Sequence, residues 1–154
     1  MGKEFKSILV SQPKPENKKS PYFGLAEKYD LNVDFRSFIH IEGVYSKEFR
    51  AQKVNLSEYS AVILTSRNAI DHFFRICEET RYAVPDSLKY FCVSEAIALY
   101  LQKYVVYRKR KIFHGRQRFT ELMELIKKHK KETFLLPSSD ILKDVIPNKL
   151  EEAS

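Results

Sequence analysis

Hydroxyl-bearing residues stand at three points where an apolar, strand-like run gives way to a helix-like pattern. The groups are Thr65 with Ser66, Ser94, and Ser138 with Ser139, and each follows its run directly except the last, which follows after Pro137. A helix start presents unpaired backbone N–H groups and the positive end of its dipole, so added hydroxyl donors suit an acidic ligand. Serine is also a common helix cap without any other role, and capping alone stays open for each position. The chemistry indicated is anion recognition rather than nucleophilic attack.

The motifs of several enzyme classes are missing around these positions. The four glycines are scattered, which excludes a dinucleotide-binding or phosphate-binding loop. No Gly-x-Ser-x-Gly elbow surrounds Ser66 or Ser94, so neither is predicted to be a nucleophile. The four histidines lie far apart and the two cysteines lack ligand spacing, so no metal site is predicted. A catalyst built on this chain would therefore act by positioning and charge.

A basic run, Tyr107–Lys111, is the best candidate for contact with nucleic acid. Arg116 and Arg118 follow it, and Tyr104 and Phe113 lie close enough in sequence to stack on bases. The alternative is a solvated strand exit that carries long basic side chains. We favour the alternative because no recognised nucleic-acid-binding pattern surrounds the run.

Size and composition fit one globular domain, or one domain with a fragment of another. The chain has 154 residues, of which 44% are hydrophobic, and a net charge of +7 that favours acidic partners. Cys77 and Cys92 both fall in apolar patterns, and we expect them to be buried packing residues. Two unpaired thiols and the lack of a secretory signal or long apolar run predict a soluble, cytoplasmic protein.

Strand-like and helix-like segments alternate along the chain. The predicted strands are Lys6–Val10, an extended stretch over Val33–Val44, Ala61–Leu64, Tyr90–Val93, Tyr104–Tyr107 and Thr133–Leu136. The predicted helices run from Ser20–Pro21 to Tyr29, over Ser46–Val54, and onward from Ser66, Ser94, Phe119 and Pro147. This alternation predicts a parallel sheet covered by helices on both faces. The carboxyl ends of its strands would bring the hydroxyl groups to one rim.

Four segments, in order, resemble a known family. They are SILVSQP near Ile8, SAVILTSRNAI around Thr65, YFCVSEAIALYL around Ser94, and FLLPSSDILKDVIPNKL around Ser138. Together they are similar to the N-terminal portion of uroporphyrinogen-III synthase, the cofactor-free tetrapyrrole cyclase of haem biosynthesis. The chain departs from the family pattern at Val93 and Ala96, where the family usually has glycine and threonine.

The resemblance implies a flavodoxin-like α/β fold with a parallel sheet and an incomplete first domain. Residues 1–44 would supply part of that first domain and the crossover, and residues 45–154 would supply the second domain, with the presence of its last strand left open. The family's return strand lies beyond this sequence, which implies a truncated form of uncertain activity. Because the strands of an incomplete domain have unpaired edges, we expect a dimer or a domain swap.

The resemblance also implies a hydro-lyase activity without a cofactor or metal. The substrate would be hydroxymethylbilane, a linear tetrapyrrole that loses water and closes into a ring with its last pyrrole inverted. The candidate substrate-binding residues are Thr65, Ser66, Asn68, Ser94, Glu95, Ser138 and Ser139. No catalytic residue is assigned, and neither nucleic acid nor a membrane is expected as a partner.

Two other function classes stay open at this point. One is a non-catalytic, flavodoxin-like anion-binding or regulatory domain, which would share the sheet and the rim. It is not expected to be a phosphoreceiver, because SILVSQP lacks an acidic pair after the first strand. The other is a nucleic-acid binder that uses Arg108–Arg118.

Overall fold

The computed structural model describes residues 6–17, 19–116 and 119–139. The chain forms two compact units, Met1–Gly43 and Val44–Ser154. The predicted helix near Pro147 lies outside the described residues.

The first unit is a strand–helix–strand motif. Its elements are β1 (Ser7–Val10), α1 (Pro21–Tyr29) and β2 (Asn32–Phe35), and the two strands pair in parallel. Proline at the first helical position begins α1, and Asp30 in the left-handed conformation (φ 49°) ends it. Of the described residues in this unit only Val10 is buried. The extended stretch predicted to reach Val44 is a paired strand only as far as Phe35.

The second unit contains a four-stranded parallel sheet. Its elements are α2 (Ser46–Ala51), a 3-10 turn (Leu56–Glu58), β3 (Ala61–Leu64), α3 (Arg67–Glu79), β4 (Lys89–Cys92), α4 (Glu95–Tyr100), a second 3-10 turn (Leu101–Lys103), β5 (Ile112–His114), α5 (Phe119–Lys128) and β6 (Phe134–Leu135). The strand order is β5-β4-β3-β6, and every pairing is parallel. Helices flank this sheet, which confirms the predicted α/β fold class.

The apolar run of β3 explains why the sheet is covered on both faces. Val62 and Leu64 belong to a core cluster with residues of α3 and α4, such as Ile70. Ala61 and Ile63 belong to a second cluster formed with α5. Successive side chains of a strand point to opposite faces, so a continuous apolar run needs apolar partners on both. Full burial of an aliphatic side chain of this size contributes about 1.5–3 kcal/mol.

Both cysteines are free and buried, as predicted. Cys77 lies on the core face of α3, and Cys92 ends β4. Burial raises the pKa of each thiol to about 12. The two thiols therefore stay protonated near neutral pH and act as small packing residues.

The prediction of a strand at Tyr104–Tyr107 is wrong. The strand that pairs with β4 is Ile112–His114, further along the chain. The predicted segment instead closes the 3-10 turn, because the backbone N–H groups of Tyr104 and Val105 donate to the carbonyl of Leu101 at 3.0 and 3.1 Å. A short apolar run fits a strand or a helix end equally well, and contacts to other elements select between them.

Candidate functional site

The loops after β3 and β4 lie side by side at the carboxyl edge of the sheet. Leu64 and Cys92 are paired in register at the ends of these strands. The Val93 N–H donates to the Leu64 carbonyl at 3.1 Å, which carries the pairing one residue further. The next residues are Ser66 on one loop and Ser94 on the other.

The loop after β6 lies on the other side of β3. Val62 pairs with Leu135, so by sequence count Pro137 comes level with Leu64 and Ser138 level with Thr65. Ser138 and Ser139 are both exposed. The carboxyl edge thus brings the predicted hydroxyl groups to three neighbouring strand ends.

The strand order reverses between β3 and β6. The chain proceeds from β3 to β4 to β5 in one direction, and then returns to add β6 on the opposite side of β3. In open parallel sheets, ligands bind in the crevice at the carboxyl ends of the strands where the order reverses. Thr65 and Ser66 follow the strand on one side of this reversal, and Ser138 and Ser139 follow the strand on the other, whereas Ser94 lies one strand away.

Ser66 and Ser94 have the same backbone conformation but different hydrogen bonds. The Ser66 hydroxyl accepts from the Ala69 N–H at 3.1 Å and caps α3. Ser94 has φ −147° and ψ 163°, close to the values of Ser66, yet its side chain makes no capping bond. Within the described residues, no hydrogen bond involves the half-buried Thr65 hydroxyl. Ser66 therefore has a structural role whatever it binds, whereas Thr65 and Ser94 keep their hydroxyls available.

Asn68 and Glu95 are exposed in the first turns of α3 and α4. The Asn68 amide can donate to a carboxylate. The Glu95 carboxylate complements the dipole of α4, but its charge would repel an acidic ligand. Of these two candidates, only Asn68 suits the chemistry predicted for the rim.

Two residues on the rim are absent from the predicted site. Arg67 follows Ser66 directly, and its guanidinium lies 5.3 Å from the ring centre of Tyr100. His114 is the last residue of β5 and is half-buried, with Nδ1 3.2 Å from the Gly115 carbonyl oxygen. Arg67 could have been recognised from its place at the helix start. His114 was not predicted because we expected this strand at Tyr104–Tyr107 rather than at Ile112–His114.

A polar cluster ties α3 to the end of α4 behind the rim. Asp71 on α3 accepts hydrogen bonds from the hydroxyls of Tyr100 and Tyr104, and Lys103 lies 3.6 Å from the same carboxylate. Burial works to raise the pKa of Asp71, but the two hydroxyls and the Lys103 charge lower it below its ordinary value. The carboxylate is thus held ionised and fixes the spacing of the two helices.

The basic run lies at the opposite, amino edge of the sheet. It precedes β5, so it is a strand entry and not the strand exit that we predicted. Arg108 and Lys111 contact Asp86 at 3.0 and 2.9 Å. The Lys111 hydrogen bond and the charges of Arg108 and Lys111 lower the pKa of Asp86. Two cations of the run are therefore paired within the chain, and Arg118 falls outside the described residues.

Other kinds of site were sought in the part of the chain that the structure describes. There, no three His, Cys, Asp or Glu residues lie close enough together to hold a metal ion. No helix within the same ranges is long and apolar enough to cross a membrane.

In a comparison with known families, residues 20–154 match the model for uroporphyrinogen-III synthase HemD. The chain belongs to the uroporphyrinogen-III synthase family. This confirms the predicted family, and three of the four sequence segments lie within the matched range, whereas SILVSQP precedes it. No curated protein matches the chain significantly. The matched range includes α1, β2 and the whole carboxyl rim of the second unit.

Proposed function

We propose that the chain binds a linear tetrapyrrole at the crevice between β3 and β6 and acts as a uroporphyrinogen-III synthase. The observation that carries the proposal is the pair of hydroxyl-bearing loops, Thr65–Ser66 and Ser138–Ser139, at the reversal of strand order. Their presence at this place in a chain of the family supports a substrate site on this rim.

The rim suits the carboxylates of such a substrate. The start of α3 offers backbone N–H groups and the positive end of a dipole, and Thr65 adds a hydroxyl next to it. Arg67 places a positive charge one residue further, and its contact with the Tyr100 ring restrains it. Hydrogen bonds to a charged group typically contribute about 1.5–3 kcal/mol each, so a few such contacts hold a polycarboxylate firmly.

The proposed reaction is the ring closure of hydroxymethylbilane with inversion of the last pyrrole. The terminal hydroxymethyl group takes up a proton and its oxygen leaves as water, and its carbon bonds to the α-carbon of the last pyrrole that carries the existing bridge. That bridge bond breaks and re-forms at the free α-carbon of the same pyrrole, which releases its proton, so the net change is the loss of one water. Because both reacting ends belong to one flexible molecule, holding them together lowers the entropic part of the barrier. We assign binding and positioning to the rim, and we assign no side chain as the proton donor.

The direct test is turnover of freshly prepared hydroxymethylbilane by the chain, with the isomers of the product separated. We expect the type III isomer in excess over the uncatalysed sample. Type I product alone would contradict the enzyme proposal. Binding of uroporphyrinogen III without turnover would instead support the non-catalytic, anion-binding alternative.

The location of the site is tested with the double variant Thr65→Ala/Ser66→Ala. We expect uroporphyrinogen III to bind about tenfold more weakly, since hydrogen bonds to its carboxylates are lost. The matched control is Ser87→Ala/Thr133→Ala, which removes two exposed hydroxyls at the amino edge of the same sheet. If the affinity for uroporphyrinogen III falls equally in both variants, or does not change in Thr65→Ala/Ser66→Ala, then Thr65 and Ser66 do not bind the ligand.

A further inference from the structure

A groove with a cavity volume of about 580 Å³ lies at the end of the second unit opposite the rim. One wall is formed by the end of α2 and the loop that follows it, and the other by the residues after α3. The groove residues used in the argument below are Phe49, Arg50, Lys53, Leu56, Arg81 and Tyr82. Because α3 runs antiparallel to β3, its end lies at the amino edge of the sheet, far from the carboxyl rim. The volume is within the range of small-molecule sites, about 300–1,000 Å³.

The charges of this groove are all of one sign. Among the described residues, Arg50, Lys53 and Arg81 line it and no acidic residue does. Within the described ranges, none of the three takes part in an ion pair, whereas Arg75 pairs with Glu79 and Arg108 with Asp86. Like charges gathered in a concave surface create a positive potential that attracts anions.

The backbone brings two of these cations to the groove through an uncommon conformation. Lys53 and Arg81 have φ of 55° and 58°, in the left-handed region, and each follows the capping residue of a helix. Non-glycine residues seldom adopt this conformation, and asparagine or glycine would fit it with less strain. Basic side chains near a helix end also offset its dipole. The helix dipole explains why Lys53 and Arg81 are basic. It does not explain why the ends of α2 and α3 lie at the same cavity.

The remaining groove residues supply apolar surface. Leu56 is buried in the core, and the half-buried rings of Phe49 and Tyr82 pack against the same cluster. The loop is held in place by Asn55, whose side-chain oxygen accepts from the N–H and the hydroxyl of Ser57 at 3.2 and 2.7 Å. A pre-shaped wall of this kind reduces the ordering cost of binding.

We propose that this groove binds an organic anion with a flat, apolar body and a phosphate or carboxylate group. The body would pack on Phe49 and Tyr82, and the anionic group would lie among Arg50, Lys53 and Arg81. The site is separate from the proposed tetrapyrrole crevice and does not depend on it.

The test uses 1-naphthyl phosphate as the probe and the isotope-labelled full chain as the target, followed by amide chemical shifts. We expect residues 49–57 and 80–82 to shift together with a dissociation constant on the order of 1 mM or tighter at low salt. Added sodium chloride should weaken this binding, and uncharged 1-naphthol should bind more weakly still. The proposal is wrong if the amide signals of these residues do not shift at millimolar 1-naphthyl phosphate. It is also wrong if 1-naphthol binds the native chain as tightly as 1-naphthyl phosphate does.

A variant assigns the binding to the three cations. Arg50→Gln/Lys53→Asn/Arg81→Asn removes three charges while keeping residues that accept the left-handed conformation. We expect at least a tenfold loss of affinity for 1-naphthyl phosphate. The matched control, Lys127→Gln/Lys128→Gln/Lys130→Gln, removes three exposed charges around the end of α5 and should bind like the native chain. If both variants lose affinity for 1-naphthyl phosphate equally, the proposed site is wrong and the binding reflects only the net charge of the chain.

Discussion

The hydroxyl of Tyr100 lies 3.0 and 2.9 Å from the two carboxylate oxygens of Asp71. This contact joins the end of α4 to the second turn of α3, the two helices that begin at neighbouring hydroxyl-bearing loops of the rim. The ring of Tyr104, which also binds Asp71, stacks on Phe74 with the ring centres 4.4 Å apart. The relative positions of Ser66 and Ser94 therefore depend on side chains one to two turns away from them.

Tyr100→Phe removes one donor to Asp71 and keeps the ring. We expect a loss of about 1 kcal/mol in the free energy of unfolding, because the contact is charge-assisted but partly exposed to water. Urea unfolding monitored by circular dichroism measures the change. Tyr45→Phe, at an exposed tyrosine, is the matched control and should have no measurable effect. A Tyr100→Phe protein as stable as the native chain would show that the contact contributes nothing.

Ser66→Ala and Ser94→Ala should differ, although both residues precede a helix after a buried strand. Loss of the bond to Ala69 should cost about 1 kcal/mol of unfolding free energy at position 66. Ser94 makes no capping bond, so its replacement should change stability by less than about 0.5 kcal/mol. Denaturant unfolding of the two variants side by side makes the comparison, and equal losses would contradict the capping assignment.

Glu132 makes a pH-dependent contribution to the free energy of unfolding. The Lys89 ammonium and the Ser60 hydroxyl hydrogen-bond to this carboxylate and lower its pKa below the ordinary 4.5. A lowered pKa in the folded chain means that the contribution is full above the unfolded-state pKa. It is lost as the pH falls through the folded-state pKa.

Glu132→Gln should therefore reduce the free energy of unfolding by about 1 kcal/mol at pH 7. The gap from the native chain should begin to narrow as the pH falls below about 4.5, the ordinary pKa, and should close once the pH lies below the lowered folded-state pKa, where the carboxylate is protonated in both states. Urea titrations at a series of pH values give this profile. Glu124→Gln, at an exposed position of α5, is the control. A gap that stays constant down to acid pH would rule out the ion pair as its source.

The strongest patterns in the sequence predicted the fold well. The run Ala61–Leu64 is buried throughout and forms the central strand that was expected of it. The apolar period after Ser66 gives a helix whose core face includes Ile70, Phe73 and Cys77. The strand could be predicted because its four consecutive residues are all apolar, and the helix because its apolar residues recur at helical spacing over several turns.

The weaker segments depended on contacts that lie far away in sequence. Tyr104–Tyr107 looks like a strand, yet Asp71 and Phe74 hold Tyr104 at a helix end, and β5 forms from Ile112–His114 instead. His114 therefore reached the rim without being predicted. Similarly, Asp86 pairs with Arg108 and Lys111, which no local pattern of charges revealed.

By itself, the sequence determined the alternation of strands and helices, the family, and the hydroxyl residues at three strand ends. These depend on local periodicity and on short motifs, which are visible along the chain. Only the tertiary structure decided that β6 adds beside β3, which brings the loop of Thr65 and Ser66 next to the loop of Ser138 and Ser139. It also decided that Ser66 caps its helix while Ser94 does not. Strand order and hydrogen-bond partners follow from packing between distant segments, and no local pattern encodes them.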